Sequence, residues 1–104
     1  VDWLQHWYKT HCDGEWEHDY GIHIETLDNP GWMVRIDLAG TALQDQHMDN
    51  VIKGEVNHSG LDGDSDWIDC RVDENRFVGA GGPNSLPAIC DVFRSWSERL
   101  ESSA

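Results

Sequence analysis

The sequence predicts an α+β fold: a five-stranded antiparallel meander sheet with an N-terminal and a C-terminal helix packed on it. Three observations lead there. Apolar residues recur at helical spacing at both ends of the chain and at period two in the middle, and turn signals separate the period-two runs. Strands joined by short turns tend to pair with their sequence neighbours, which gives one antiparallel sheet. A length of 104 residues, with no repeat or low-complexity linker, predicts one domain over residues 1–104.

The first helix is read from Trp3, Leu4, Trp7 and Tyr8, with Asp2 placed to cap it and Asp13-Gly14 to stop it. From Tyr20 to Leu27 the chain alternates, with Tyr20, Ile22, Ile24 and Thr26 on one side, as a half-buried strand does. Asp28-Asn29-Pro30-Gly31 turns it, Pro by fixing φ and Gly by tolerating φ > 0. Trp32, Val34, Ile36 and Leu38 then mark a second strand. Residues 39–50 are polar and show no clear period. Val51–Val56 is a third strand weakened by Gly54, and residues 57–66 form a loop rich in Gly, Ser and Asp. Trp67–Val72 and Arg76–Ala80 are the last strands, joined by a tight turn at Asp73–Asn75. Gly81-Gly82-Pro83-Asn84 ends the sheet. Ser85 can cap a helix that tolerates Pro87 in its first turn, and Ile89, Val92, Phe93, Trp96 and Leu100 form its apolar stripe.

Charge narrows the function. Twenty acids against seven bases give −13. Residues 1–52 hold 10 acids and 2 bases, and residues 53–104 hold 10 acids and 5 bases, so the acidity belongs to the whole surface with a bias to the first half. Phosphate binding needs Lys and Arg, so nucleic acid is not the expected partner, and an anionic membrane is not either. A basic protein partner is, with electrostatic steering of the encounter.

Three cysteines, Cys12, Cys70 and Cys90, are an odd number in unrelated contexts. Cys70 alternates with apolar neighbours in a strand-like run, Cys90 sits on an amphipathic helix-like run, and both read as small buried hydrophobes. This usage suits a reducing compartment, and with no signal-peptide pattern or apolar run of membrane-spanning length the expected location is cytoplasmic. No metal or cofactor is expected. His11, Cys12, His18 and His23 lack the regular spacing of a zinc site. Asp62, Asp64 and Asp66 resemble part of a calcium loop, but Trp67 stands where that loop needs Gly. Gly79-Ala-Gly-Gly-Pro83 lacks the following Lys of a phosphate loop, so its glycines are read as a close strand-to-helix passage.

The densest signal is Cys12-Asp-Gly-Glu-Trp-Glu-His-Asp-Tyr-Gly-Ile. Asp13, Glu15, Glu17 and Asp19 fall at every second position. If the stretch is extended, these four carboxylates line one side and Trp16, His18 and Tyr20 the other. Carboxylates so close repel one another, whereas a cationic partner gains from them. No nucleophile accompanies Glu15, Glu17, His18 and Asp19, which speaks against catalysis. Of the six tryptophans, Trp3, Trp7 and Trp96 belong to helical apolar faces. Trp16 is the candidate exposed anchor, and Asp62, Asp64 and Asp66 form a second acidic patch.

Beyond these local readings, the chain resembles the immunity protein 53 family. The resemblance is carried by Trp3-Leu-Gln-x-Trp-Tyr, Cys12-Asp-Gly-Glu-Trp-Glu-His18, Tyr20-Gly-Ile, Thr26-Leu-Asp-Asn-Pro-Gly-Trp32, Ile36-Asp-Leu, Gly79-Ala-Gly-Gly-Pro-Asn84 and Phe93-Arg-x-Trp96, and is weakest from Ala42 to Asp66. It implies a cytoplasmic antidote of a bacterial polymorphic toxin system, without enzymatic activity, that binds and neutralises a cognate toxin domain. The alternative is a small acidic binding module for another protein or a carbohydrate, which would need two or more coplanar exposed rings for a sugar.

Overall fold

The computed structural model describes residues 2–28, 30–53 and 67–102. Two helices precede the sheet, α1 (Asp2–His11) and the single turn α2 (Trp16–Asp19), and a third, α3 (Leu86–Ser102), follows it. The strands are β1 (Ile22–Leu27), β2 (Gly31–Asp37), β3 (Val51–Lys53), β4 (Ile68–Asp73) and β5 (Arg76–Gly81). All pairings are antiparallel in one five-stranded sheet. The α+β class, the single sheet and the terminal helices are as the sequence predicts.

The strand order corrects the meander. It is β1-β2-β5-β4-β3, so β2 pairs with the last strand and not with the next one. Strands β2 to β5 thereby form a Greek key. The cause lies in residues 38–50, which are long enough to carry the chain past the ends of β5 and β4 to the far edge. Leu43 and Met48, in the stretch that shows no period, are buried and hold this crossing down. Hydrogen bonds fasten it along the way. Leu38 N–H donates to the Asn75 carbonyl at 2.8 Å, and Asp45 N–H to Asn75 Oδ1 at 2.7 Å. The His47 carbonyl accepts from Trp96 Nε1–H at 3.1 Å. Asn75 stands in a two-residue hairpin loop in which it and Glu74 both have positive φ, 58° and 50°, as a turn matching the sheet twist requires.

One face of the sheet is covered by the terminal helices. Val34, Ile36, Phe77, Ile68 and Cys70 point into this core, where Ile89, Cys90, Phe93 and Trp96 of α3 and Leu4 and Trp7 of α1 meet them. Phe93 sits where the three parts touch. Its ring lies 5.1 Å from Phe77, 5.1 Å from Trp7 and 5.9 Å from Trp3. Burying one such aromatic contributes about 1.5–3 kcal/mol. α3 lies almost on the backbone of β5. A Cβ at Gly79 would stand 2.4 Å from Ile89 Cγ2, and one at Gly81 would stand 2.7 Å from Ser85 Cβ. The glycines of Gly79–Gly82 therefore serve a close approach, as expected. Both core thiols are removed from thiolate chemistry: desolvation pushes Cys70 up to about 12 and raises Cys90 as well.

Among the described residues no helix covers the other face of the sheet. Its charges are matched in pairs, Arg35 with Glu25, Arg76 with Asp37 at 3.0 Å and Arg71 with Asp69 at 2.8 Å. Three of the seven basic residues are thus engaged with carboxylates there, and the acidic excess lies elsewhere. Among the described residues no helix is long and apolar enough to cross a membrane.

Two substitutions test this packing by chemical denaturation. Trp96→Ala should lose about 3–5 kcal/mol of stability by leaving a cavity and an unpaired His47 carbonyl. Gly79→Ala should lose about 1–3 kcal/mol, because α3 must lift from β5 to admit a single methyl group.

Candidate partner-binding surface

The acidic stretch is not an extended ribbon. After α1 ends at His11, residues 12–15 turn and Trp16–Asp19 wind into α2. The four carboxylates therefore do not line one side. Two of them build the turn. Asp13 Oδ1 accepts from the amides of Glu15 and Trp16 at 2.9 and 3.0 Å, a side-chain turn that leads into α2. Glu17 reaches back, its Oε1 accepting from the Asp13 amide at 3.0 Å and its Oε2 from the Gly14 amide at 2.8 Å. Together the two carboxylates satisfy the backbone amides of residues 13–16. Gly14 stands at φ +94°, where a side chain would be strained.

These hydrogen bonds favour the charged carboxylates. Asp13 is held below the usual carboxylate range first by the Trp16 amide and then by that of Glu15. Glu17 is also lowered, first by its own amide and then, against some desolvation, by those of Gly14 and Asp13. Glu15 and Asp19 are left as exposed carboxylates outside this set of bonds, four residues apart on the outer side of α2.

Trp16 is the second correction. It is 7 % exposed and cannot serve as a surface anchor in this conformation. Its indole N–H donates to the Ala39 carbonyl at 2.8 Å. Its ring stands edge-on to Trp7 at 6.1 Å and lies about as close to Tyr8 and Tyr20. The apolar ring next to so many charges thus fastens the acidic turn to α1. None of the six tryptophans is exposed: Trp7, Trp16 and Trp96 are buried, and Trp3, Trp32 and Trp67 are half-buried. The coplanar exposed tryptophan pair that a sugar site would need is not present.

Asp62, Asp64 and Asp66 lie outside the described residues. Among the described residues no three His, Cys, Asp or Glu side chains converge as metal ligands would. The surface that remains is an acidic stretch of sequence, in which Glu25 is paired with Arg35. From Asp13 to Asp28 the chain carries six acids and no Lys or Arg, and it runs without a break from the acidic turn into β1. Sequence reasoning missed what lies beside it. Between α1 and β1 there is a groove of about 320 Å³ lined by Leu4, Gln5, Tyr8, Tyr20, Ile22 and Ile24 among others. Tyr20 and Ile24 are 40 % and 42 % exposed, two of the three exposed large hydrophobic residues among the described residues. The alternation of residues 20–26 was visible in sequence, but α1 covers only part of the side that it marks.

The model of the family described as Immunity protein 53 matches residues 1–98. The chain belongs to the immunity protein 53 family. Comparison with curated proteins and with solved structures gave no match. Membership supports an immunity role and implies a toxin as partner in general terms. In this immunity protein 53 member, the motif segments at residues 12–18, 26–32 and 79–84 have structural tasks: the acidic turn, the first hairpin and the close passage into α3.

The depressed carboxyls fix the direction of a pH effect. The acidic turn is stabilised above the carboxyl titration range of the unfolded chain, and that contribution is lost as pH falls through the lowered folded values. Carboxyl titration by NMR should place Asp13 and Glu17 below their ordinary ranges, and the Trp16 amide should exchange faster as the two protonate. Asp13→Asn combined with Glu17→Gln should remove this acid sensitivity.

Proposed function

We propose that the protein binds a cognate toxin domain directly and neutralises it by covering a basic surface or active site, without catalysis and without a cofactor. The observation that carries this reading is the unbroken acidic segment from Asp13 to Asp28 in a chain of net charge −13 that belongs to an immunity family. A toxin that acts on a polyanion needs Lys and Arg to hold its substrate, and the same cations pair with an acidic face. Glu15 and Asp19 supply charge outward, whereas Asp13 and Glu17 act indirectly by holding the turn in shape. Trp16 contributes as the turn's internal anchor. Asp62, Asp64 and Asp66 add a second acidic patch to the same partner. Binding occurs in the cytoplasm, where the toxin meets the antidote of the cell that makes it.

The test is survival of cells that co-express this protein with the toxin domain encoded beside its gene, followed by co-purification of the pair. Rescue with a stable complex is expected. Rescue without a complex would point to enzymatic reversal, and absence of rescue would favour a binding module unrelated to toxins. Glu15→Lys with Asp19→Lys should leave the fold intact and weaken the complex by roughly tenfold or more, chiefly by slowing association. Wild-type association should slow as salt rises, and a rate insensitive to salt would count against the charge mechanism.

A further inference from the structure

We infer that the partner joins the molecule at the free edge of β1, where an extended segment of the toxin adds to the sheet as a sixth strand and sets alternate apolar side chains into the groove beneath α1. The inference rests on the toxin-binding reading above and gives it a place.

The edge is identified by hydrogen-bond phase. Asp37 N–H donates to the Gly21 carbonyl at 3.0 Å, and Gly21 stands opposite Asp37 one step beyond the Ile22–Ile36 pair. In an antiparallel ladder the bonded positions alternate. His23, Glu25 and Leu27 therefore turn their amides and carbonyls toward β2, and Ile22, Ile24 and Thr26 turn theirs outward. Among the described residues no backbone group bonds to these three on the outer side. The two edges of the sheet differ. β3 is three residues long and ends in Lys53, a short and charged edge of the kind that resists pairing. β1 has six residues with no Pro, Lys or Arg, and the extended backbone of Tyr20 prolongs it. Strand addition takes affinity from main-chain hydrogen bonds and specificity from pockets for alternate side chains. Both are present here, since Tyr20, Ile22 and Ile24 line the groove from the same side of the strand.

Charge selects the occupant. A second copy pairing edge to edge would bring together two segments that each hold six acids and no Lys or Arg between Asp13 and Asp28. A cationic strand meets no such repulsion, and Asp19 and Asp28 flank the edge at its two ends.

The experiment uses amide hydrogen exchange by NMR on the full chain, alone and with a catalytically inactivated form of the toxin domain encoded beside its gene. Alone, the amides of Ile22, Ile24 and Thr26 should exchange faster than those of His23 and Glu25. In the complex they should slow by roughly tenfold or more. Thr26→Pro removes one outward amide and no bond to β2, and it should weaken binding by roughly tenfold. Ile24→Lys, at an exposed position that leaves the fold intact, should do the same through the groove, and Ile52→Lys on the opposite edge should not. A complex in which the three amides exchange unchanged and Ile24→Lys binds as wild type overturns the edge and leaves the proposed function standing. Absence of any complex overturns both. Protection of the three amides in the protein alone, with a concentration-dependent dimer in sedimentation, assigns the edge to a second copy and overturns the inference.

Discussion

The structure depends on one run of aromatic contacts. Phe77 on β5 meets Phe93 on α3 at 5.1 Å, Phe93 meets the edge of Trp7 on α1 at 5.1 Å, and Trp7 meets Trp16 of α2 at 6.1 Å. The last two steps tie α1 and α2 to the core, and neither of these helices makes a backbone ladder with the sheet. The edge-to-face geometry of Trp7 with Phe93 and with Trp16 adds to the area they bury. The acidic turn is the last link, so its position is set by the centre of the core and not by its own charges.

This explains how so acidic a segment stays ordered. Like charges at close spacing oppose any compact arrangement, and here two of them are absorbed by backbone amides while a buried indole holds the chain from behind. The rest of the molecule cancels the segment's charge at Glu25, through Arg35, and leaves Glu15 and Asp19 exposed. The arginines of the sheet are spent on carboxylates of the uncovered face, one with Glu25 from β1 itself, and none points into the turn.

Much of the fold was legible in the sequence because its signals are local. Period two over Trp32–Leu38, the stripe Ile89–Leu100 and the turn residues at Asp28–Gly31 and Asp73–Asn75 each depend on nearby neighbours. The strand order was not legible, because nothing local distinguishes β3 from β5 as the partner of β2. That choice is made by the buried Leu43 and Met48 and by bonds from Asn75 and Trp96, all of them long-range. The acidic stretch misled for a similar reason. Alternation suggested a ribbon, but Asp13 and Glu17 can also bond nearby backbone amides, and that local turn won once Trp16 had a core to enter. Counting carboxylates located the segment. Only the packing separated Glu15 and Asp19, which face outward, from the two that serve the backbone.

The Greek-key order has a consequence in time. The ribosome releases β1 and β2 early, yet β2 finds its inner neighbour only when β5 follows, and Phe93 arrives later still. Until then the hairpin has an unpaired edge on both sides, and α3 is not yet there to cover it. Non-local pairing of this kind is slow compared with helix formation, so the fold is incomplete until α3 has been made. If the proposed function holds, such a protein would protect from stock already folded, and a cell that relied on it would hold a reserve.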